Sequence, residues 1–307
     1  MNLVMDIGGT NVRLGLVAAD GQLSASTTYS WEEAGTLTRA IERFCAHKNL
    51  KPPFAKLVVA FAGPIVPGQS LFAFTNASQT FSRAELEGFA SQILIVNDFV
   101  AQAALVHTLG GEDTFVLKAG QVNPSAAKAV LGPGTGLGVC AIAAEGTIIP
   151  GEGGNTVLPF LPHQSALIHG LQTLEPRPYT WRIEDVLSGP GIERIYAVFG
   201  GQGSPTAEAI SKAAKAGEPT AQRAFTCYFD YLAITCANQA LQYSAAGGIY
   251  IVGNISNTNL ELLDHTRFEN IFTSIQSHKG FLRNVPVKLV TKPTSGLKGA
   301  AVLMRGF

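Results

Sequence analysis

Two short glycine-rich turns carry the residues best suited to chemistry in this chain of 307 residues. The first reads Asp6-Ile7-Gly8-Gly9-Thr10-Asn11 and the second Gly132-Pro133-Gly134-Thr135-Gly136-Leu137-Gly138. Glycines let successive backbone N–H groups converge on one point, and a threonine adds a hydroxyl donor, so each turn could receive a phosphate. A glycine pair between strands is also an ordinary hairpin turn. The device occurs twice, however, and its first copy opens with an aspartate that could orient a metal. Together they point to a nucleotide polyphosphate. Two more carboxylates stand in informative surroundings. Asp98 follows Asn97 at the end of the apolar run 93–96. The carboxyl edge of an open α/β sheet is where ligands bind, but an aspartate there can equally cap the next helix. Glu152 lies among Gly151, Gly153 and Gly154. It is either a solvated loop acid or an acceptor for a ligand's hydroxyls.

The elements that must position these residues follow from the hydrophobic pattern. Residues 2–5, 12–17, 127–131 and 139–144 flank the two turns and read as short apolar strands. Residues 22–29 extend the first hairpin into a meander. Residues 37–48 have helical spacing, with Leu37, Ile41, Phe44 and Cys45 on one face, and Lys51-Pro52-Pro53 ends the segment. Strands follow at 57–61, 72–74 and 93–96. Ser82 and Glu85 form a capping box for a helix reaching Ala90, and residues 100–107 read as helical. This mixture is an α/β pattern. Beyond a loop around 120–125 comes the second hairpin, then an irregular, glycine-rich stretch at 148–158. Helices are expected at 164–171, 183–187, 191–199, 206–216, 219–243 and 297–304, and strands at 249–252 and 287–290. No short-period repeat occurs.

Composition narrows the function. Lysine plus arginine equals aspartate plus glutamate at 22 each, with no basic block, which disfavours nucleic acid as a partner. Hydrophobic residues make up 46% of the chain, enough for a large core. Cys45, Cys140, Cys227 and Cys236 form no C-x-x-C pair and read as reduced core thiols of a cytosolic protein. The six histidines show no metal-ligand spacing. The N-terminus enters a strand by Leu3, so no signal peptide is expected. The apolar stretch 228–252 is broken by Asp230, Asn238, Gln239 and Gln242, which argues against a membrane span. Neither a P-loop, a G-x-G-x-x-G fingerprint nor a G-x-S-x-G elbow is present.

With the two turns, Asn97-Asp98, Gly151-Glu152-Gly153-Gly154 and Leu187-Ser188-Gly189-Pro190-Gly191 in this order, the chain resembles the bacterial glucokinase family of the hexokinase–actin–Hsp70 superfold. The resemblance runs from Leu3 to Arg305. It implies an α/β, two-lobed actin-like ATPase (ribonuclease H-like) fold with an interlobe cleft. The small lobe would comprise residues 1–107 plus 293–307, and the large lobe residues 108–292. It implies transfer of a phosphoryl group from ATP to the 6-hydroxyl of a hexose, first of all glucose. Asp98 would be the catalytic base. Asn97, Glu152, Asn155, Glu184, Thr75 and Asn76 would lie on the sugar. Gly8, Gly9, Thr10, Asn11, Gly134, Thr135 and Gly136 would hold the ATP phosphates, and Gly253 and Asn254 would lie near the adenosine. Asp6 would place Mg²⁺, through water. A cytoplasmic homodimer is common in such enzymes.

Two positions depart from the family pattern. Asn155 replaces a histidine that contacts the sugar near its anomeric end, which should loosen selection there. Asn254 replaces the second glycine of the adenosine element. The alternatives are a kinase of another hexose or amino sugar, and a catalytically idle sugar-sensing regulator. Asp185 could compete with Glu184 for its role. Arg13 is left unassigned, reaching either phosphate or a surface carboxylate, and Lys292 and Lys298 read as solvated.

Overall fold

A computed structural model describes residues 1–307 except 19, 67, 75–78 and 293. The expected sugar-side residues Thr75 and Asn76 therefore lie outside the described residues. The chain divides into two compact units, one formed by Met1–Thr108 with Pro293–Phe307 and the other by Leu109–Lys292.

The first unit is built on a five-stranded sheet. Its strands are β1 (Asn2–Ile7), β2 (Asn11–Val17), β3 (Leu23–Ser30), β4 (Phe54–Phe61) and, after the small hairpin β5 (Leu71–Ala73) and β6 (Thr80–Ser82), β7 (Ala90–Asn97). The order is β3-β2-β1-β4-β7. The first three strands form an antiparallel meander, and β1, β4 and β7 run parallel. Side chains alternate across the pleat. Leu3, Met5 and Ile7 of β1 join Leu57, Val59 and Phe61 of β4 in one core, covered by Ile41 and Phe44 of a helix at Leu37–Lys48. Val4, Val58 and Ala60 face the other way, onto the C-terminal helix Gly296–Leu303. Asp6 shares the pleat face of Val4, and this directs its carboxylate at the start of that helix.

The second unit repeats the plan in a six-stranded sheet. It comprises β8 (Thr114–Lys118), β9 (Lys128–Pro133), β10 (Leu137–Ile142), β11 (Ile148–Gly151), β12 (Ile249–Ile251) and β13 (Val287–Val290), in the order β11-β10-β9-β12-β13-β8. Strands β9 to β11 form the antiparallel meander, β9, β12 and β13 run parallel, and β8 is an added antiparallel edge. One core joins Ala129, Leu131, Ile249, Ile251 and Leu289 to Phe225, Tyr228, Leu232 and Cys236 of the long helix Pro219–Gln242.

The local expectations hold for the first meander, for the second hairpin, for the Ser82–Glu85 capping box and for the long helix. Three differences stand out. The edge strand β8 and the helices at His265–Phe272 and Lys279–Asn284 lie in segments to which no element was assigned. The helix expected at 100–107 begins at Asp98 and ends at Ala104, with a 3-10 turn beyond. Strand β11 lies in the stretch 148–158 expected to be irregular, and Lys292, exposed as expected, also lies 3.1 Å from Asp113.

Candidate active site

In the first unit the site residues gather at the ends of β1 and β7. Asn97 closes β7 and caps the helix Asp98–Ala104: its Oδ1 accepts the Phe99 N–H at 2.9 Å, and its Nδ2 donates to the Gly63 carbonyl at 3.0 Å. This settles the ambiguity in the sequence. Asn97 is the cap, while the Asp98 carboxylate has no side-chain partner and also receives the backbone N–H groups of Phe99 and Asp98. Asp98 is half-buried. Burial pushes its carboxyl up to about 6, and the charge of Asp6 adds to the rise. Asp6 is also raised by burial, against the pull of Arg13, whose Nη1 lies 3.1 Å from Oδ2. Arg13 faces Asp6 across the β1–β2 ladder, so its partner is this carboxylate. The Leu297 N–H donates to Asp6 as well. A Cβ on Gly296 would sit 2.6 Å from Asp6 Oδ1, so a side chain there would crowd the carboxylate.

The β1–β2 turn is braced from outside. Trp31 Nε1 donates to the Gly8 carbonyl at 2.9 Å, and the Trp31 N–H donates to the Thr10 carbonyl at 3.3 Å. The indole meets Phe74 edge to face at 5.6 Å, and Ser30 and Glu33 close a capping box around the same turn of helix.

In the second unit the corresponding turn is held by its own neighbours. The Gly134 carbonyl accepts the Gly189 N–H at 2.8 Å, and the Leu137 N–H donates to Glu184 Oε2 at 2.9 Å. A Cβ on Gly136 would lie 2.6 Å from that same oxygen, so glycine leaves room for the close approach. Ser188 caps the helix Gly189–Val198, accepting the Gly191 N–H and donating to the Glu184 carbonyl at 2.8 Å. Gly191 has no room for a Cβ, which would meet the Val186 carbonyl at 2.3 Å. The Gly153–Asn155 turn is likewise pressed onto β10, because a Cβ on Gly154 would lie 2.1 Å from the Leu137 carbonyl. Leu137 thus joins the glycine turn to both Glu184 and the Glu152 loop.

The rationale for the glycines changes accordingly. None of Gly8, Gly9, Gly134 and Gly136 has the positive φ of a left-handed nest residue. What these turns offer is room and free donors. A Cβ on Gly134 would meet nothing within 4 Å, and one on Gly8 would meet only the Asn11 carbonyl at 3.9 Å. The N–H groups of Gly9, Thr135 and Gly136 make no hydrogen bond to the other described residues. Open space beside unpaired donors suits phosphate oxygens. Gly253 is the left-handed residue, with φ of 105°, and Asn254 simply begins the short helix Asn254–Thr258.

The expected sugar-side residues of this unit converge. Asn155 Nδ2 donates to Glu152 Oε2 at 3.0 Å, while its Oδ1 accepts from Arg182 Nη1 at 2.7 Å. Arg182 Nη1 lies 3.6 Å from Glu184 Oε1. Asp185 is buried and takes both Arg182 and Arg177. Burial favours its neutral form, but the Arg182 hydrogen bonds and the two guanidinium charges outweigh that and lower its carboxyl. Asp185 is committed to these pairs, which leaves Glu184 as the acid at the turn. Sequence reasoning missed Trp31 and Arg182, whose partners lie 23 and 27 residues away. Among the described residues no cluster of three histidine, cysteine or acidic side chains could hold a metal. Asp6, with Asp98 as its acidic neighbour, matches a magnesium ion carried mainly by phosphates, which needs only one or two carboxylates. Among the described residues no helix is long and apolar enough to cross a membrane.

Comparison with known proteins gives this geometry its context. The family model described as Glucokinase matches residues 3–306. A curated glucokinase from Caulobacter sp. (strain K31) is 35% identical over 318 residues, covering 99% of this chain and 95% of its own length. Another, from Caulobacter vibrioides (strain NA1000 / CB15N), is 35% identical over 320 residues with the same coverage of 99% and 95%. The crystal structure of a glucokinase from an Antarctic psychrotroph superimposes with a TM-score of 0.85 at 28% identity, covering 100% of this chain and 99% of that one.

Proposed function

This chain belongs to the glucokinase family, and from that premise we propose that it transfers the terminal phosphoryl group of ATP to the 6-hydroxyl of glucose, giving glucose 6-phosphate and ADP. The fold is the actin-like sugar-kinase fold, seen here as two units that share a five-strand order. Phosphoryl transfer asks a protein for positioning, for neutralisation of phosphate charge and for a group that takes the hydroxyl proton.

Asp98 takes that proton. The observation that carries this reading is the division of labour at the end of β7: Asn97 Oδ1 caps the helix, and the Asp98 carboxylate takes only backbone N–H groups, of Phe99 and Asp98, with no side-chain partner. A carboxyl raised to about 6 is largely ionised at neutral pH, yet is a stronger base than an ordinary aspartate. As the 6-hydroxyl oxygen bonds to phosphorus, its proton passes to an Asp98 oxygen, and the bond to the departing ADP oxygen breaks. Glu152 and Glu184 accept hydrogen bonds from sugar hydroxyls, with Asn97 and Asn155 as secondary contacts. The free N–H groups of Gly9, Thr135 and Gly136, with the Thr10 and Thr135 hydroxyls and Asn11, bind phosphate oxygens. Gly253 and Asn254 lie on the adenosine side. Asp6, whose carboxylate already receives Arg13 and the Leu297 N–H, would hold Mg²⁺ through water. When bound, that ion neutralises charge on the phosphates.

Coupled ADP release with glucose, mannose, 2-deoxyglucose, glucosamine, N-acetylglucosamine and N-acetylmannosamine tests the reading. Glucose should give the highest kcat/KM, and phosphorus NMR should show a 6-phosphate. An amino sugar exceeding glucose would reassign the substrate, and no ADP release with any of these sugars would overturn the kinase reading.

A further inference from the structure

The groups expected to meet the sugar in the second unit converge on Arg182, a residue that no motif marks. One side of Arg182 is locked to Asp185. Its backbone N–H and Nε donate to Oδ2 at 2.9 and 3.2 Å, and Nη2 donates to Oδ1 at 2.9 Å. Asp185 is itself fixed by Arg177 at 3.1 Å, and the Arg177 guanidinium stacks 4.0 Å from the centre of the Trp181 ring. The fork is planar, so fixing one edge aims the other. That edge is Nη1, 2.7 Å from Asn155 Oδ1 and 3.6 Å from Glu184 Oε1. The Asn155 amide has a donor on its oxygen side and a carboxylate on its nitrogen side, so only one orientation satisfies both neighbours. Its nitrogen then holds Glu152 at 3.0 Å.

We propose that Arg182 is the positioning residue of the hexose site, holding Glu184 directly and Glu152 through Asn155 so that both carboxylates are ready to accept sugar hydroxyls. The proposal rests on the glucokinase reading. A simpler role would be to staple residues 155–158 to residues 181–183. The backbone already does so: the Leu158 N–H donates to the Trp181 carbonyl at 2.8 Å, and the Ile183 N–H donates to the Thr156 carbonyl at 2.9 Å. The side chain is left with another task. Glu152 is exposed on a glycine turn, and an untethered glutamate there would lose rotamer freedom on binding sugar. The tether removes that cost before the sugar arrives. The cation also offsets the repulsion between two carboxylates serving one ligand. Asn155 is then a relay before it is a contact: it takes one hydrogen bond from the cation and passes one to the acid.

Steady-state kinetics and calorimetric glucose binding on the full chain test this with Arg182→Lys and Asn155→Asp. Lysine cannot keep the paired bonds to Asp185 and also reach Asn155. Aspartate keeps the acceptor toward Arg182 but sets a like charge against Glu152. Each variant should raise the glucose KM about tenfold, the loss expected for one charge-assisted hydrogen bond. ATP KM and kcat should change by less than about twofold. The double variant should fall well short of the product of the two effects, because both break one path. Multiplicative effects, a glucose KM unchanged in Asn155→Asp, or losses of kcat that track a lowered Tm would overturn the proposal. Asn155 is exposed, so its variant keeps the test decisive if Arg182→Lys does not fold. A wild-type chain that phosphorylates no hexose would instead overturn the kinase reading.

Discussion

The β1–β2 turn and the β9–β10 turn hold the same place in two sheets that share a five-strand order, to which the second adds β8, yet they are stabilised by different means. In the first unit the turn is braced from outside by Trp31, through the Gly8 and Thr10 carbonyls. In the second it is held by the residues that follow it in the site, Glu184 on the Leu137 N–H and Gly189 on the Gly134 carbonyl. The acids differ in the same sense. Asp6 and Asp98 are both raised by burial, and the charge of Asp6 lifts Asp98 further. In the second unit Asp185 is lowered by two guanidinium groups, and Glu184 and Glu152 lie on a single network of cations and amides. One strand plan thus supports two electrostatic designs. On the proposed reading, the first unit's carboxylates would exchange a proton or meet a cation, and the second unit's would serve as fixed hydrogen-bond acceptors.

The largest effect should come from removing the poised carboxylate. Asp98→Asn should lower kcat by roughly two orders of magnitude or more, the range for loss of a general base, with glucose binding retained by calorimetry. The same variant should be more stable than wild type at neutral pH. A carboxyl raised in the folded state destabilises that state fully above about 6 and not at all below its unfolded value of about 4. The Tm advantage of Asp98→Asn should therefore be present at neutral pH and vanish near about pH 4.

A middle-sized effect should come from filling the open space in the second turn. Gly134→Ala places a methyl where nothing lies within 4 Å, so the fold should not register it. The KM for ATP should rise about tenfold if phosphate uses that space. An unchanged ATP KM would remove the turn from the nucleotide site. The smallest effect should follow loss of the outer brace. Trp31→Phe keeps the ring against Phe74 but removes the bond to the Gly8 carbonyl. A neutral hydrogen bond contributes about 0.5–1.5 kcal/mol, so ATP KM should rise only several-fold. An equal response to Glu184→Gln and Trp31→Phe would contradict the difference drawn between the two turns.

Much of this was legible in the sequence, and the remainder was not for definite reasons. The turns, the first meander and the Asn97-Asp98 edge are local patterns: an apolar run, a glycine break, a polar pair. The choice between Asp98 as cap and as free acid could not be read from spacing, because adjacent polar residues can each take the cap. The cap fell to Asn97, which can accept the Phe99 N–H and also donate to the Gly63 carbonyl, as an aspartate could not. The reason for the glycines also lay outside the local pattern. Gly154 is required by the approach of the Leu137 carbonyl, and Gly136 leaves room for the Glu184 carboxylate, contacts that exist only after folding. Arg182 and Trp31 carry no motif, since their roles depend on side chains reaching loops distant in sequence. Strand β8 is a short edge strand with Phe115 and Val116 exposed, so it lacks the buried pattern by which its neighbours are recognised.

The poised state of Asp98 is the claim on which the comparison turns, and the pH dependence of kcat/KM for glucose, at saturating ATP, measures it directly. The rate should fall on the acid side with a single apparent pKa near 6, because the protonated carboxyl cannot accept the hydroxyl proton. A profile that stays flat down to about pH 5, as an ordinary aspartate with a pKa of about 3.9 would give, would contradict it.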